Sequence, residues 1–321
     1  MRVPVVAAAV GVAALLVAGC GDDGGSEDPV ARGPITQVEA VTRGGDFRSA
    51  IDATVAPDGG TVYFTATSSK GPGVFRVPAD GGVAEVVAAG SPFGRPVGVA
   101  VTTDGDRLLV ADADAQAWGR AGGAVLSVPV TGGEPTPVRG TEGLSPRGLE
   151  AVNEEDEDVV YFTGRDGGDG APAVFKVPVD GADAPAPVIK GSPLTDPDAV
   201  AVTRSGVVYV TDRGAPGGEG ALYRVTGGSV QRVADIRAPV FAGVTLTFDE
   251  ATVLVSTLGP QGTDQVLLVD AATLRTDSFS RVIGENREGG GLHRAHRVDV
   301  FAWADLAAGA DRRSAVYVLR A

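Results

Sequence analysis

The sequence predicts an all-β fold: a six-bladed β-propeller of four-stranded blades. The first observation is a short strand that returns six times. It reads Val74-Phe75-Arg76-Val77-Pro78, Val125-Leu126-Ser127-Val128-Pro129 and Val174-Phe175-Lys176-Val177-Pro178, then more loosely Leu222-Tyr223-Arg224-Val225, Val266-Leu267-Leu268-Val269 and Val316-Tyr317-Val318-Leu319. The second is the spacing. The central residues Phe75, Leu126, Phe175, Tyr223, Leu267 and Tyr317 lie 51, 49, 48, 44 and 50 apart, and a period of about 40–50 residues made of short strands marks a propeller repeat. The third is composition: 47 Gly and 21 Pro in 321 residues suit strands and tight turns.

Each unit repeats the same order of elements. A buried first strand such as Pro96-Val97-Gly98-Val99-Ala100-Val101 passes through the turn Thr103-Asp104-Gly105-Asp106 to a second strand, Leu108–Asp112. Asp-Gly and Gly-Gly at such points supply the positive φ that a tight hairpin needs. A longer loop precedes the third strand, and a turn such as Gly132-Gly133 leads to a polar outer strand. The units begin near Ser49, Gly94, Ser145, Asp196, Phe241 and Gly291, and the sixth ends at Ala321 after its third strand. Pro34–Val41 resembles the outer strands Ala84–Ala88 and Ser229–Ala234. The N-terminal strand is therefore expected to complete the sixth blade, and closing the ring removes open sheet edges. Phe47, Phe93 and Phe241, with Leu144 and Leu194, recur at blade junctions and are expected to pack blade on blade.

Ahead of the propeller stands a processing signal. Arg2 is followed by the apolar, small-residue stretch Val3–Ala18, too short for a comfortable membrane span. Its end, Val17-Ala18-Gly19-Cys20, resembles the lipobox of bacterial lipoproteins. That resemblance implies a signal peptide over 1–19, cleavage before Cys20, and a lipid on Cys20 that holds the chain to the membrane. Cys20 is the sole cysteine, so no disulfide framework exists. Residues 20–33 are Gly, Asp, Ser, Glu and Pro with little that is apolar and read as a flexible tether, leaving 34–321 for the propeller. The expected location is the cell envelope, on the periplasmic or outer face.

A net charge of −14 argues against nucleic acid, which needs a basic stripe, and against docking on anionic lipid head groups. Self-repulsion of this kind favours a soluble monomer. There is no phosphate-cradling loop, HExxH or dinucleotide fingerprint, and no Gly-x-Ser-x-Gly elbow, so no cofactor is implied. The two histidines, His293 and His296, open the sixth unit; residues three apart on a strand face opposite ways, so they read as polar loop residues rather than a metal chelate. Arg294 accompanies His293 as a candidate for the channel. Asp112, Asp212 and Asp305 end second strands and are expected to bond backbone or a neighbouring blade. The run 154–158 reads as a solvated hairpin tip, and 165–170 as a flexible loop without the acidic spacing of an EF-hand.

The second strands Val62-Tyr63-Phe64-Thr65, Val160-Tyr161-Phe162-Thr163 and Val208-Tyr209-Val210-Thr211-Asp212, with their Gly-Val-Ala-Val first strands and Asp-Gly turns, resemble the six-bladed superfamily of NHL, YWTD and TolB-like repeats and the SMP-30/gluconolactonase enzymes. The resemblance spans roughly 35–321 and is specific for the fold. In the enzymes it implies a divalent metal in the channel, held by Glu, Asn and Asp side chains on first strands. The matching positions here are Ile51, Val97, Arg147 and Asp198. One carboxylate cannot hold a hard cation, and Arg147 brings positive charge to its place. Arg147 and Asp198 are expected to pair near the channel mouth, either as a structural ion pair or as a site for a small anionic or zwitterionic ligand. The expected function is therefore a non-catalytic binding or scaffold domain with an unknown protein or glycan partner. The alternative is a lactonase- or phosphotriesterase-type hydrolase with a degenerate metal site.

Overall fold

The computed structural model describes residues 35–320 except 117–121, 182, 218, 238–239, 260–261, 280–287 and 309–310. The leader, Cys20 and the tether lie outside the described residues. Among the described residues every regular element is a strand.

The strands form six antiparallel sheets, each running in sequence order from the channel outward in blades 1 to 5. The inner strands of the six blades are Ala53–Val55, Pro96–Val101, Leu149–Glu154, Pro197–Val202, Val244–Leu246 and Gly289–Arg294. Blade 1 carries an extra segment, Phe47–Arg48, on its second strand. In blade 6 the outermost strand is Gln37–Arg43, paired with Arg313–Arg320. The N-terminal strand thus closes the ring, slightly further along the chain than the Pro34–Val41 expected from the repeat. A backbone bond from Gly291 to the Ile51 carbonyl (2.8 Å) joins blade 6 to blade 1 at the channel.

Second-strand hydroxyls stitch successive blades. Thr163 Oγ1 accepts from Gly148 N of its own blade and donates to the Asp198 carbonyl of the next at 2.8 Å. Thr211 does the same between Ala199 N and the Ala242 carbonyl, and Ser256 between Gly243 N and the Gly290 carbonyl. These buried hydroxyls are fully partnered, as buried polar groups must be. They also set a common register, in which Ile51, Val97, Arg147, Asp198, Ala242 and Gly290 are equivalent.

The next register position is glycine in four blades for a steric reason. A Cβ on Gly98 would stand 2.1 Å from the Arg147 carbonyl oxygen, and one on Gly148 2.2 Å from that of Asp198. In those blades the neighbouring backbone stands too close for a side chain, whereas Ala199 and Asp52 occupy the position in the other two.

Apolar side chains fill the spaces between blades. Phe93 packs with Tyr63 and Val74 of blade 1, and Phe241 with Tyr209 and Leu222 of blade 4, as the junction pattern predicted. Phe47 meets Phe64 of its own blade at a tilt, 4.9 Å between ring centroids, within a cluster that also takes in Ala302, Val316 and Val318 of blade 6, so it too packs blade on blade. The acidic run at 154–158 is a hairpin tip, with Glu155 and Asp156 at positive φ. Glu155, Asp156 and Glu157 are exposed as expected, while the flanking carboxylates anchor the tip: Glu154 takes Lys176 Nζ at 2.9 Å, and Asp158 accepts Thr103 N at 3.0 Å from blade 2. The 165–170 loop is tied down by Lys190, which spans Asp166 at 2.8 Å and Asp169 at 3.0 Å.

Candidate functional site

The channel has two mouths. The first is bounded by the loops that enter the inner strands and those that join second to third strands. It holds a cavity of about 490 Å³. Ile51, Val97 and Phe241 give it an apolar side. Opposite them, Arg147 reaches Asp198 Oδ1 through Nη2 (2.7 Å) and Asp196 Oδ1 through Nη1 (3.0 Å). Arg213 braces the same group: Nη2 lies 2.6 Å from Asp196 Oδ2, Nη1 donates to the Val240 carbonyl, and Nε stands 3.9 Å from Asp198 Oδ1.

Asp198 is 0 % exposed. Burial raises its pKa to about 6 despite the two arginines. Its Oδ2 accepts Ala242 N at 3.2 Å. Oδ1 is close to Arg147 but off the line of a hydrogen bond, so its contact is ionic. Burial also opposes ionisation of Asp196, but its bonds to Arg213 and the charge of Arg147 outweigh burial and lower its pKa. The mouth therefore offers fixed guanidinium groups beside an apolar wall. Both guanidiniums are already paired with Asp196 and Asp198.

Residues at the four equivalent positions do not fit a divalent cation. Two are aliphatic, one is the guanidinium already seated on Asp198, and the carboxylate's counter-ions are arginines. Among the described residues no group of three His, Cys, Asp or Glu side chains is placed to hold a metal.

His293 is elsewhere, and the expectation of a polar loop residue is corrected. The inner strand of blade 6 shifts register between Gly289 and Leu292. His293 then falls on the strand and turns into the channel, where it is 2 % exposed. Its Nε2 lies 3.1 Å from Asp52 Oδ2 of blade 1 and its Nδ1 3.3 Å from Glu150 Oε2 of blade 3. Burial opposes the imidazolium, but the two carboxylates overcome it and hold the pKa at about 10. Asp52 further accepts Ala53 N and, across the blade boundary, Val99 N at 2.8 Å. Gly291 makes room for it, since a Cβ there would fall 1.6 Å from Asp52 Oδ1. This charged layer divides the channel: the cavities at the two mouths share no lining residue.

His296 and Arg294 belong to the second mouth. His296 Nε2 meets the Val101 carbonyl at 2.8 Å, and Arg294 Nε donates to the Leu246 carbonyl at 2.7 Å. The four sequence candidates thus occupy three places. Arg147 and Asp198 meet at the first mouth, His293 plugs the middle, and Arg294 stands at the far end.

Sequence reasoning missed Asp52, Glu150, Asp196 and Arg213. Asp52 had a signal: its register position is Gly98, Gly148, Gly243 or Gly291 in other blades and Ala199 in the remaining one, so a carboxylate there breaks the repeat. Asp112 and Asp212 do bond backbone, each accepting two amides from the loop that enters its inner strand. Asp305 accepts Ala307 N at 2.9 Å and also meets Asp264 of the neighbouring blade, and burial raises the pKa of both.

Fold and channel together define a six-bladed β-propeller whose central passage is closed by an ionic layer. It is similar to several solved propellers. A gluconolactonase from Xanthomonas campestris superposes with a TM-score of 0.60 at 15% identity, over 88% of this chain and 89% of that one. A putative oxidoreductase (glucose dehydrogenase) from Thermus thermophilus gives 0.59 at 14% identity, over 88% and 99%. A putative TolB from Agrobacterium tumefaciens gives 0.57 at 15%, over 85% and 91%. No protein-family model and no curated protein matches the sequence. At these identities the likeness establishes the fold, and function rests on the site.

Proposed function

We propose that this chain is an exported envelope lipoprotein whose propeller is a non-catalytic binding or scaffold domain, with the first mouth of the channel as its docking point. The observation that carries this reading is Arg147 seated on Asp198 where a catalytic cation would need open oxygen ligands. Rigid, paired guanidiniums next to Ile51, Val97 and Phe241 favour a peptide or acidic glycan that presents an apolar group and an anionic or zwitterionic head. A lipid on Cys20 and the 20–33 tether would hold the propeller, as a monomer, off the membrane surface. The alternative of a lactonase-type hydrolase draws on the likeness to the Xanthomonas gluconolactonase.

Thermal melts with calcium and with manganese separate the two readings, because a ligand bound only by the folded state raises Tm. The expected result is no shift beyond about 1 °C at a concentration where a site of ~10 μM affinity would give several degrees. A metal-dependent rise in Tm, with lactone hydrolysis lost in Asp198→Ala, would favour the hydrolase. For the anchor, Cys20→Ser is expected to move the protein from the membrane fraction to the soluble one. Unchanged membrane association of that variant would remove lipidation from the proposal.

A further inference from the structure

We propose that the second mouth of the channel is a separate binding site for a small oxyanion, a phosphate or the carboxylate of an organic acid. The turns that join inner to second strands enclose a cavity of about 710 Å³ there. Its lining carries four glutamates and three arginines that are not all paired with one another. Three of its four carboxylates are committed: Glu150 to His293, Glu154 to Tyr161 and Lys176, and Glu250 to Arg204. The fourth, Glu155, stands on the exposed hairpin tip at positive φ. Among the described residues, neither Arg294 nor Arg297 forms an ion pair with a carboxylate.

Arg294 is built into the wall rather than free on the surface. Nε bonds the Leu246 carbonyl and Nη1 the Ala295 carbonyl, which fixes the plane of the guanidinium. The group is half-buried, and burial lowers its pKa because the carboxylates around it offset the desolvation only in part. Glu150, Asp299 and Glu250 act on it through space, and Arg204 opposes them. Of these, Glu150 is held by His293, Glu250 by Arg204, and Asp299 accepts Phe248 N at 2.7 Å. The Phe248 ring, 42 % exposed, makes cation–π contacts with Arg204 (4.9 Å) and Arg294 (5.4 Å), which further fix both guanidiniums.

A partly desolvated cation with no directly paired carboxylate is costly, and an oxyanion supplies a contact partner. The guanidinium fork suits two oxygens of one phosphate or carboxylate. Arg297, exposed on the adjoining turn, adds the second unneutralised charge, and Ser205 and Asn153 line the same cavity with neutral donors. The Asp52–His293–Glu150 layer separates this site from Arg147 and Asp198, so the two mouths bind independently.

Calorimetric titration of the whole protein with inorganic phosphate and with citrate, at constant ionic strength, tests the assignment. The expected result is saturable binding of at least one of these, one anion per chain, weakened about tenfold or more by Arg297→Glu and by Arg294→Gln. Arg232→Ala, on the outer strand of blade 4 and paired with Asp235, is expected to leave the affinity unchanged. Arg297 is exposed, so its variant reports binding even where Arg294→Gln fails to fold. The assignment is overturned if neither anion binds saturably, or if Arg297→Glu binds as tightly as the parent. It is equally overturned if Arg232→Ala weakens binding as much as Arg297→Glu does, or if Arg165→Glu at the first mouth abolishes binding that Arg297→Glu leaves intact.

Discussion

Replacing Arg147 with alanine is expected to destabilise the protein by about 3 kcal/mol at neutral pH, because it strands a fully buried carboxylate. Asp198 keeps its bond from Ala242 N and a weaker contact with Arg213 at 3.9 Å. These place the loss at the lower end of the range for breaking a buried pair. For a domain of this size that is a fall in Tm of roughly 5 °C. The sign of the pH dependence identifies the cause. Asp198 has a folded pKa of about 6, raised above its unfolded value by burial. Its protonated form favours folding, so stability from this group is full below the ordinary carboxylate range and is lost as pH rises through about 6. Removing Arg147 deepens that loss. The cost of Arg147→Ala should therefore shrink toward pH 4 and should be largely recovered in Arg147→Ala/Asp198→Ala. Urea unfolding at pH 4 and pH 7 reads both quantities. A cost that is the same at both pH values, and persists in the double variant, would mean that Arg147 acts through packing and not as a counter-ion.

The second large effect belongs to His293. His293→Gln keeps the approximate size of the side chain but leaves Asp52 and Glu150 without the cation between them. The expected loss is about 3 kcal/mol near pH 6. Here too the sign follows from the raised pKa. A histidine held at about 10 in the fold contributes stability that is complete below its unfolded value near 6.5 and disappears as pH rises through about 10. The parent and the variant should therefore converge in stability above pH 10. Glu150 opens onto the second mouth and can gain water, whereas Asp52 is 0 % exposed and retains only its two amide bonds. Asp52→Asn in the His293→Gln background should thus restore more stability than Glu150→Gln. A gap between parent and His293→Gln that stays constant from pH 6 to pH 10 would show that the imidazole is held neutral and that the layer is not ionic.

Much of this architecture is legible in the chain because it is local. The repeat of Phe75, Leu126 and Phe175, the Asp-Gly and Gly-Gly turns, and the short sixth unit specify blades, their number and the closing strand without reference to any long-range contact. Laying the units in register also places Ile51, Val97, Arg147 and Asp198 together at one mouth, since equivalent residues of a closed ring must face one another. The hydroxyls of Thr163, Thr211 and Ser256 confirm that register in the structure. The lone carboxylate at Asp52, in a position that is otherwise Gly or Ala, was also visible by comparing units.

Long-range packing decides which charges meet at the axis and what state they adopt there. His293 finds its partners 241 and 143 residues away, on strands of blades 1 and 3. A register shift in its own strand turns it inward, and no local pattern announces that shift. Arg213 joins Arg147 and Asp198 only because the loop between second and third strands folds back over the mouth, whereas Asp196 stands two residues before Asp198 at the entry of the inner strand. The same side chains in water would titrate normally and pair weakly. Converging six inner strands removes the water; burial then raises the pKa of Asp198 and lowers that of Arg294, while the carboxylates of Asp52 and Glu150 overcome burial to hold His293 charged. Local pattern is enough to specify the ring and its register; desolvation at the axis, a property of the assembled ring, sets the electrostatics of its channel.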